Sequence, residues 1–321
     1  MAVFQAAPGN DANRNFGLGF DADAPPAPLQ YGLPSGAPSP WLMVPHDNDA
    51  FVCLQTGAGL ALQNSQDSQA IISITEAGGP SAQNQSLRNF TIRGLTLGNG
   101  IVEARQGSSV LARLQYTVFD RLAFSVRFFT VRDKGPRHWS RRALSDAPKM
   151  ISLANKLFLP QANVLFTMDG PFADDVNLEL PDILPDIRSM LSPGPHTYQT
   201  HVFGPVHFGV PGPSPDWTAW TAIFKPALPD KKKFNVFFVW RTDDPNTPAL
   251  TYGNCCFIQD GIARPEHVFA HESGHFLLGP DFEPHTGGHS NGPADLMQST
   301  RRDDFVKVPM DQAFRIQHRG W

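Results

Sequence analysis

Two hydrophobic periods divide the chain. From Trp41 to about Asp120, apolar residues alternate with polar ones or form short runs: Ile71-Ile72-Ser73-Ile74-Thr75, Asn89-Phe90-Thr91-Ile92-Arg93, Gly100-Ile101-Val102-Glu103-Ala104, and Val110 to Val118. Turn residues punctuate them, namely Gly78-Gly79-Pro80, Gly98-Asn99-Gly100 and Gln106-Gly107-Ser108. Short strands so spaced predict an antiparallel β-sandwich over residues 41–131, with Phe124 to Val131 as its further strand. From residue 146 the pattern changes. Met150, Leu153 and Leu157 recur at helical spacing, and the apolar run Ala162 to Met168 predicts a buried strand. Phe234 to Trp240 has no polar face, which predicts an interior strand covered on both sides. Residues 249–259 predict one or two short strands. A helix is predicted from Pro265, which suits a first turn, to the Gly279-Pro280 stop, and a last helix from Pro309 to Arg319.

The stretches between are less patterned. Residues 1–40, rich in Gly, Pro, Ala, Asn and Asp, read as an extended leader; a sharper reading lays it in a cleft as a built-in inhibitor, although it has no cysteine to cap a metal. Residues 132–145 form a polar, basic connection in which Arg137, Arg141 and Arg142 read as an exposed linker rather than a processing site. Residues 169–230 are proline-rich, with a short helix expected from Ile183 to Leu191. The second domain is placed at 146–321.

Composition narrows the function. A chain of 321 residues can bury two cores, and 41 % apolar with 17 % charged residues is globular composition. A net charge of −4 with mixed signs leaves no nucleic-acid footprint. No run approaches the ~18 apolar residues of a membrane span. The N-terminus has no basic region followed by an apolar core, so no secretory signal is expected. Three cysteines, Cys53, Cys255 and Cys256, make no disulfide framework, and the vicinal pair reads as core. These features imply a cytoplasmic protein as synthesised, with signal-independent export in folded form left open.

The chemistry concentrates in His271-Glu272-Ser273-Gly274-His275. Two histidines four apart on a helix share a face and can reach one metal ion, while Glu272 sits beside them as a base rather than a ligand. This HExxH arrangement suits one catalytic Zn2+, and the reaction expected of it is hydrolysis of amides. His267, one turn earlier, reads as an ordinary helix histidine. His196, His201 and His207 are spaced so that they could hold a second structural ion, but they read as loop histidines. A catalytic zinc needs a third protein ligand. Glu283, the last glutamate of the chain, lies only eight residues after His275 in a proline-rich turn, which disfavours a glutamate from a later helix.

The stretch from His271 to Met297 resembles the metzincin clan of zinc peptidases, which read HExxHxxGxxH or D and then carry a methionine in a tight turn. Gly279 lies one residue later than the clan's glycine, and Asp281 fills its third-ligand position. Counting back from Asp295-Leu296-Met297 instead, Gly288-His289-Ser290-Asn291-Gly292-Pro293 is similar to the matrixin phrase whose third histidine precedes the methionine by eight residues. The resemblance therefore implies His271, His275 and His289 as metal ligands, with His285 and Asp281 as alternatives for the third. It implies Met297 as a packed base under the site. Ser299 stands where astacin-like members carry a tyrosine. Separately, Phe90 to Arg105 resembles the late strands of bacterial Ig-like modules, which implies a partner-binding or spacer role for the sandwich.

The fold class expected is thus α+β: an all-β Ig-like sandwich followed by a metzincin-like domain with a mixed twisted sheet and an active-site helix. The function expected is a zinc-dependent endopeptidase acting on a protein or peptide held extended along an edge strand near Leu250 to Tyr252. A zinc-stabilised, catalytically silent adhesion protein, or a peptidase effector exported in folded form, are the rival readings.

Overall fold

The structure is a computed structural model. It describes residues 2–6, 19–22, 24, 40–56, 60–65, 70–76, 87–132, 140–169, 177–179, 232–239, 248–279, 282, 295–297 and 307–321. Contacts divide the chain into two compact units that are not contiguous in sequence. One comprises Met1–Leu122, Lys156–Leu165 and Val306–Gly320; the other comprises Ala123–Asn155, Phe166–Phe305 and Trp321.

The first unit contains two sheets. In one, β1 (Val3–Ala6), β4 (Asp49–Gln55), β7 (Leu87–Gly94) and β6 (Ile72–Glu76) lie in that order, all antiparallel. In the other the order is β2 (Phe20–Asp21), β3 (Trp41–Pro45), β9 (Ser109–Phe119), β8 (Gly98–Gln106) and β5 (Ala61–Asn64), with β3 parallel to β9. Alternation turns Val52 and Leu54, Phe90 and Ile92, Val102 and Ala104, and Leu114 and Tyr116 into one shared core. Two amphipathic sheets burying one face against each other make a sandwich. Parts of the stretch read as a leader belong to it, because β1 pairs with β4 and β2 with β3. Asp21, 4 % exposed, accepts from Lys307 Nζ at 2.8 Å and from the Met310 amide at 3.2 Å. It thereby supplies a negative charge at the start of the last helix, α3 (Met310–His318).

Glu103 on β8 is buried, and burial pushes its carboxyl up. The guanidiniums of Arg105 and Arg113, at 2.6 and 3.1 Å, outweigh that and hold it below its ordinary value. A carboxyl depressed by folding stabilises above its unfolded pKa, and the contribution is lost as pH falls through the folded value. Glu103→Gln should therefore lower the melting temperature at pH 7, modestly because Arg113 is solvent-screened. The gap to the parent should close below about pH 4 in a pH series of thermal melts.

The second unit is built on one sheet. Along it run β11 (Val164–Met168), β10 (Leu122–Arg132), β13 (Lys233–Val239), β15 (Cys255–Gln259) and β14 (Ala249–Tyr252), and β12 (Asn177–Glu179) also pairs with β10. Strands β10, β13 and β15 are parallel, and β14 returns antiparallel at the end. Gly253, at φ +57°, makes the two-residue turn between β14 and β15. One face packs Phe128, Phe234 and Phe238 under the helix that follows. On the other, Phe129, Phe237 and Phe257 stack in register across three strands, with centroids 4.9 and 5.1 Å apart. Helix α1 (Ala147–Ala162) occupies the crossover between β10 and β11. Strand β10, read from sequence as the sandwich's further strand, belongs to this sheet, because its buried residues Phe124, Val126 and Phe128 fit a parallel interior position.

The expected α+β class is corrected. Among the described residues fifteen strands in three sheets stand against three α-helices and one 3-10 turn, so the protein is mostly β-sheet. The strands extend even into stretches read as leader or as proline-rich loop, where β1, β2 and β12 lie. One helix has the character a zinc-peptidase site requires: α2 (Pro265–Leu278). No helix among the described residues is long and apolar enough to cross a membrane.

Cys53, Cys255 and Cys256 are fully buried and unbridged. Burial pushes the Cys53 thiol up to about 11 and that of Cys255 up to about 12. The reactive thiolate is scarce at neutral pH under those conditions. A chromogenic thiol reagent is expected to leave the native protein unlabelled and to titrate all three thiols once denaturant is added.

Candidate active site

Helix α2 forms where its signals place it. Pro265 needs no amide partner in the first turn, Glu266 favours the positive end of the dipole, and Gly279 at φ +83° ends the helix with its amide on His275 O at 3.0 Å. The helix is buried nearly all round, and His271, Glu272 and Ser273 are buried with its apolar residues. Phe269 and Phe276 fix its rotation. Phe269 meets Phe128, Phe166 and Phe234 at 5.8–6.2 Å, and Phe276 stacks on Phe234 at 4.5 Å and meets Phe124 and Trp321.

That rotation turns the face shared by the two histidines toward the Asp295-Leu296-Met297 turn. The His271 and His275 rings stand 4.9 Å apart at 82°, on one face as the spacing of four requires. His271 and Glu272 are each 2 % exposed, and His275 is half-buried. His271 Nδ1 lies 2.7 Å from Leu296 O. A carbonyl only accepts, so Nδ1 carries the proton, and Nε2 is the nitrogen that in a neutral ring has the lone pair a metal needs. The Ser273 hydroxyl donates to Phe269 O at 2.8 Å, so it is committed to the helix backbone.

The turn Asp295-Leu296-Met297 lies against this helix. The Met297 amide donates to Asp295 Oδ1 at 2.8 Å, and the side chain is 1 % exposed. Its Sδ occupies the space a Cβ on Gly274 would take. Met297 is therefore packed beside the histidine pair. At the sheet edge, Thr251 Oγ1 on β14 donates to Glu272 O at 3.3 Å and ties that strand to the helix at the prospective base.

The segment leading into α2 is clasped. Ser140 Oγ donates to Asp260 Oδ1 at 2.7 Å. Arg142 Nη2 donates to Gln259 O and Ile262 O at 3.2 and 3.4 Å, and its guanidinium lies 5.8 Å from the Phe238 ring. With its side chain 7 % exposed, Arg142 is not part of an exposed linker, which corrects the reading of the basic cluster at this residue. It holds the loop between β15 and α2.

His271 and His275 supply two donors of the type a zinc ion takes. Neutral imidazole nitrogens are zinc donors, one tautomer is set by a backbone carbonyl, and a carboxylate follows in sequence. His289, His285 and Asp281 lie outside the described residues, as do His196, His201 and His207. Among the described residues no group of three or more His, Cys, Asp and Glu is placed to hold a metal. His267 is half-buried on the same helix. The sequence reading missed Gly274 and the Leu296 carbonyl. The first carried a signal, since glycine inside a helix costs about 1 kcal/mol against alanine; a backbone carbonyl carries none.

No family model and no curated protein matches the chain. Among solved structures it is similar to domains 4 and 5 of the S-layer protein SbsC, at 12 % identity and a TM-score of 0.19, over 24 % of this chain and 46 % of that one. It is also similar to SbsC domains 1–6, at 10 % identity and a TM-score of 0.21, over 31 % and 14 %. The chain spans less than half the length of either structure. Likeness at this level carries no argument, and the chemistry of the site rests on its own residues.

Proposed function

We propose that the chain is a zinc-dependent endopeptidase, with His271 and His275 holding the ion and Glu272 as general base. The observation that carries this is the hydrogen bond from His271 Nδ1 to the Leu296 carbonyl beside Met297. With Nδ1 committed to a backbone carbonyl, the ring direction is set and Nε2 is the nitrogen that would face a metal, the arrangement typical of ligating histidines. The residue-level resemblance of His271 to Met297 to metzincin peptidases supports the reading. It assigns the third ligand to His289, with His285 or Asp281 as alternatives.

When bound, zinc would supply Lewis acidity toward a peptide carbonyl and toward water. Glu272 takes a proton from the attacking water and delivers it to the leaving amine. Strand β14, at the end of its sheet among the described residues, offers backbone groups to an extended substrate chain, and Thr251 couples that strand to Glu272.

The test is cleavage of an unbiased peptide mixture by zinc-loaded protein, read by mass spectrometry, with and without a chelator. Cleavage that stops on chelation and returns with zinc is expected. One bound zinc per chain with no cleavage would replace the peptidase by the silent-scaffold reading.

A further inference from the structure

Gly274 sits inside α2 between Glu272 and His275, where alanine would make a firmer helix. Its reason is spatial. A Cβ there would fall on Met297 Sδ, with Met297 Cε at 3.3 Å and Cγ at 3.5 Å. The thioether is flexible, but it is 1 % exposed, so it cannot swing out into solvent. The turn that carries it is braced by the Met297 amide on Asp295 Oδ1, and the preceding residue supplies the carbonyl that accepts from His271 Nδ1. His271 and Gly274 are three apart on the helix, hence neighbours on one face. Leu296 and Met297 are consecutive in the turn. Two adjacent residues of the turn therefore grip two adjacent positions on the helix.

We infer that Gly274 is a positioning residue for His271: its missing side chain seats Met297 on the helix backbone, and that seat sets how the Leu296 carbonyl holds the imidazole. The inference rests on the zinc-peptidase reading above. A methyl group at 274 displaces Met297, the displacement passes to Leu296, and His271 loses its fixed tautomer and ring direction. Outer-shell changes of this kind cost about 10- to 100-fold in metal affinity.

The test compares the full-length parent with Gly274→Ala, Met297→Ala and the double variant. Zinc affinity is read by competition with a chromogenic chelator, and ligand geometry by the visible absorption bands of the cobalt(II)-substituted protein. Gly274→Ala should bind zinc about tenfold or more weakly and shift the cobalt bands while keeping its far-ultraviolet circular dichroism. Helix propensity cannot produce that loss, since it favours alanine. Met297→Ala, which leaves the helix untouched, should also weaken binding by loosening the turn, and it carries the test if Gly274→Ala does not fold. In the double variant the new methyl takes space the thioether has left, so the combined loss should be smaller than the sum of the two. Parental affinity and bands in Gly274→Ala, or simple additivity in the double variant, would overturn the inference. A parent that binds no zinc removes the proposed function and this inference together; a parent that binds zinc beside an indistinguishable Gly274→Ala removes the inference alone.

Discussion

Glu272→Gln should reduce peptide cleavage by about 10²- to 10⁴-fold while one zinc per chain stays bound. Glutamine matches glutamate in size and fills the same 2 %-exposed site, so the helix and the His271–His275 pair keep their geometry. What is lost is a group able to accept a proton from water and pass it on. The expected fall corresponds to about 3 to 5 kcal/mol of transition-state stabilisation, and it belongs in kcat rather than KM because the substrate contacts proposed along β14 would be unchanged. Full activity in the variant would show that another group is the base. Loss of zinc together with activity would show that Glu272 holds the ion or the helix, and the assignment of base would fall.

Helix α2 was readable because its signals are local. Pro265, Glu266 and Gly279 mark its ends, and a spacing of four puts His271 and His275 on one face whatever surrounds them. Short strands defined by distant partners were harder to read. β1 and β2 have four and two residues, too few for a period, and each exists because of pairing with a strand far along the chain. The same limit displaced β10: an apolar run identifies a strand but not its sheet, and its register with β13 joins Ser125 to Lys233. The expected class gave one chemically distinctive helix the weight of a layer, whereas three α-helices stand against fifteen strands among the described residues. Arg142 shows it for a side chain. It follows Ser140 and Arg141 in a basic stretch, yet its partners Gln259 and Ile262 are more than a hundred residues away, and they turn a linker-like residue into a buried clasp.

Phe269→Ala should cost the second unit about 3 to 5 kcal/mol, the range for deleting a buried aromatic ring. Phe269 is 0 % exposed and touches rings from β10, β11 and β13, so one truncation opens a cavity under the active helix that three rigid rings cannot all fill. Domains are stable by about 5 to 15 kcal/mol, which makes this a large share of the total. The variant also bears on the site, because the ring fixes the rotation that turns the His271–His275 face toward the Leu296 carbonyl. A metal that binds only the folded protein adds about 2.7 kcal/mol at a hundredfold excess over its Kd. Zinc should accordingly raise the melting temperature of the parent and recover part of the loss in Phe269→Ala. Thermal unfolding with and without zinc separates the two effects. A loss below about 1 kcal/mol would place Phe269 outside the core that sets the helix. An intact loss with no rise on adding zinc, in parent and variant alike, would leave the packing argument standing and remove the metal from the site that the packing builds.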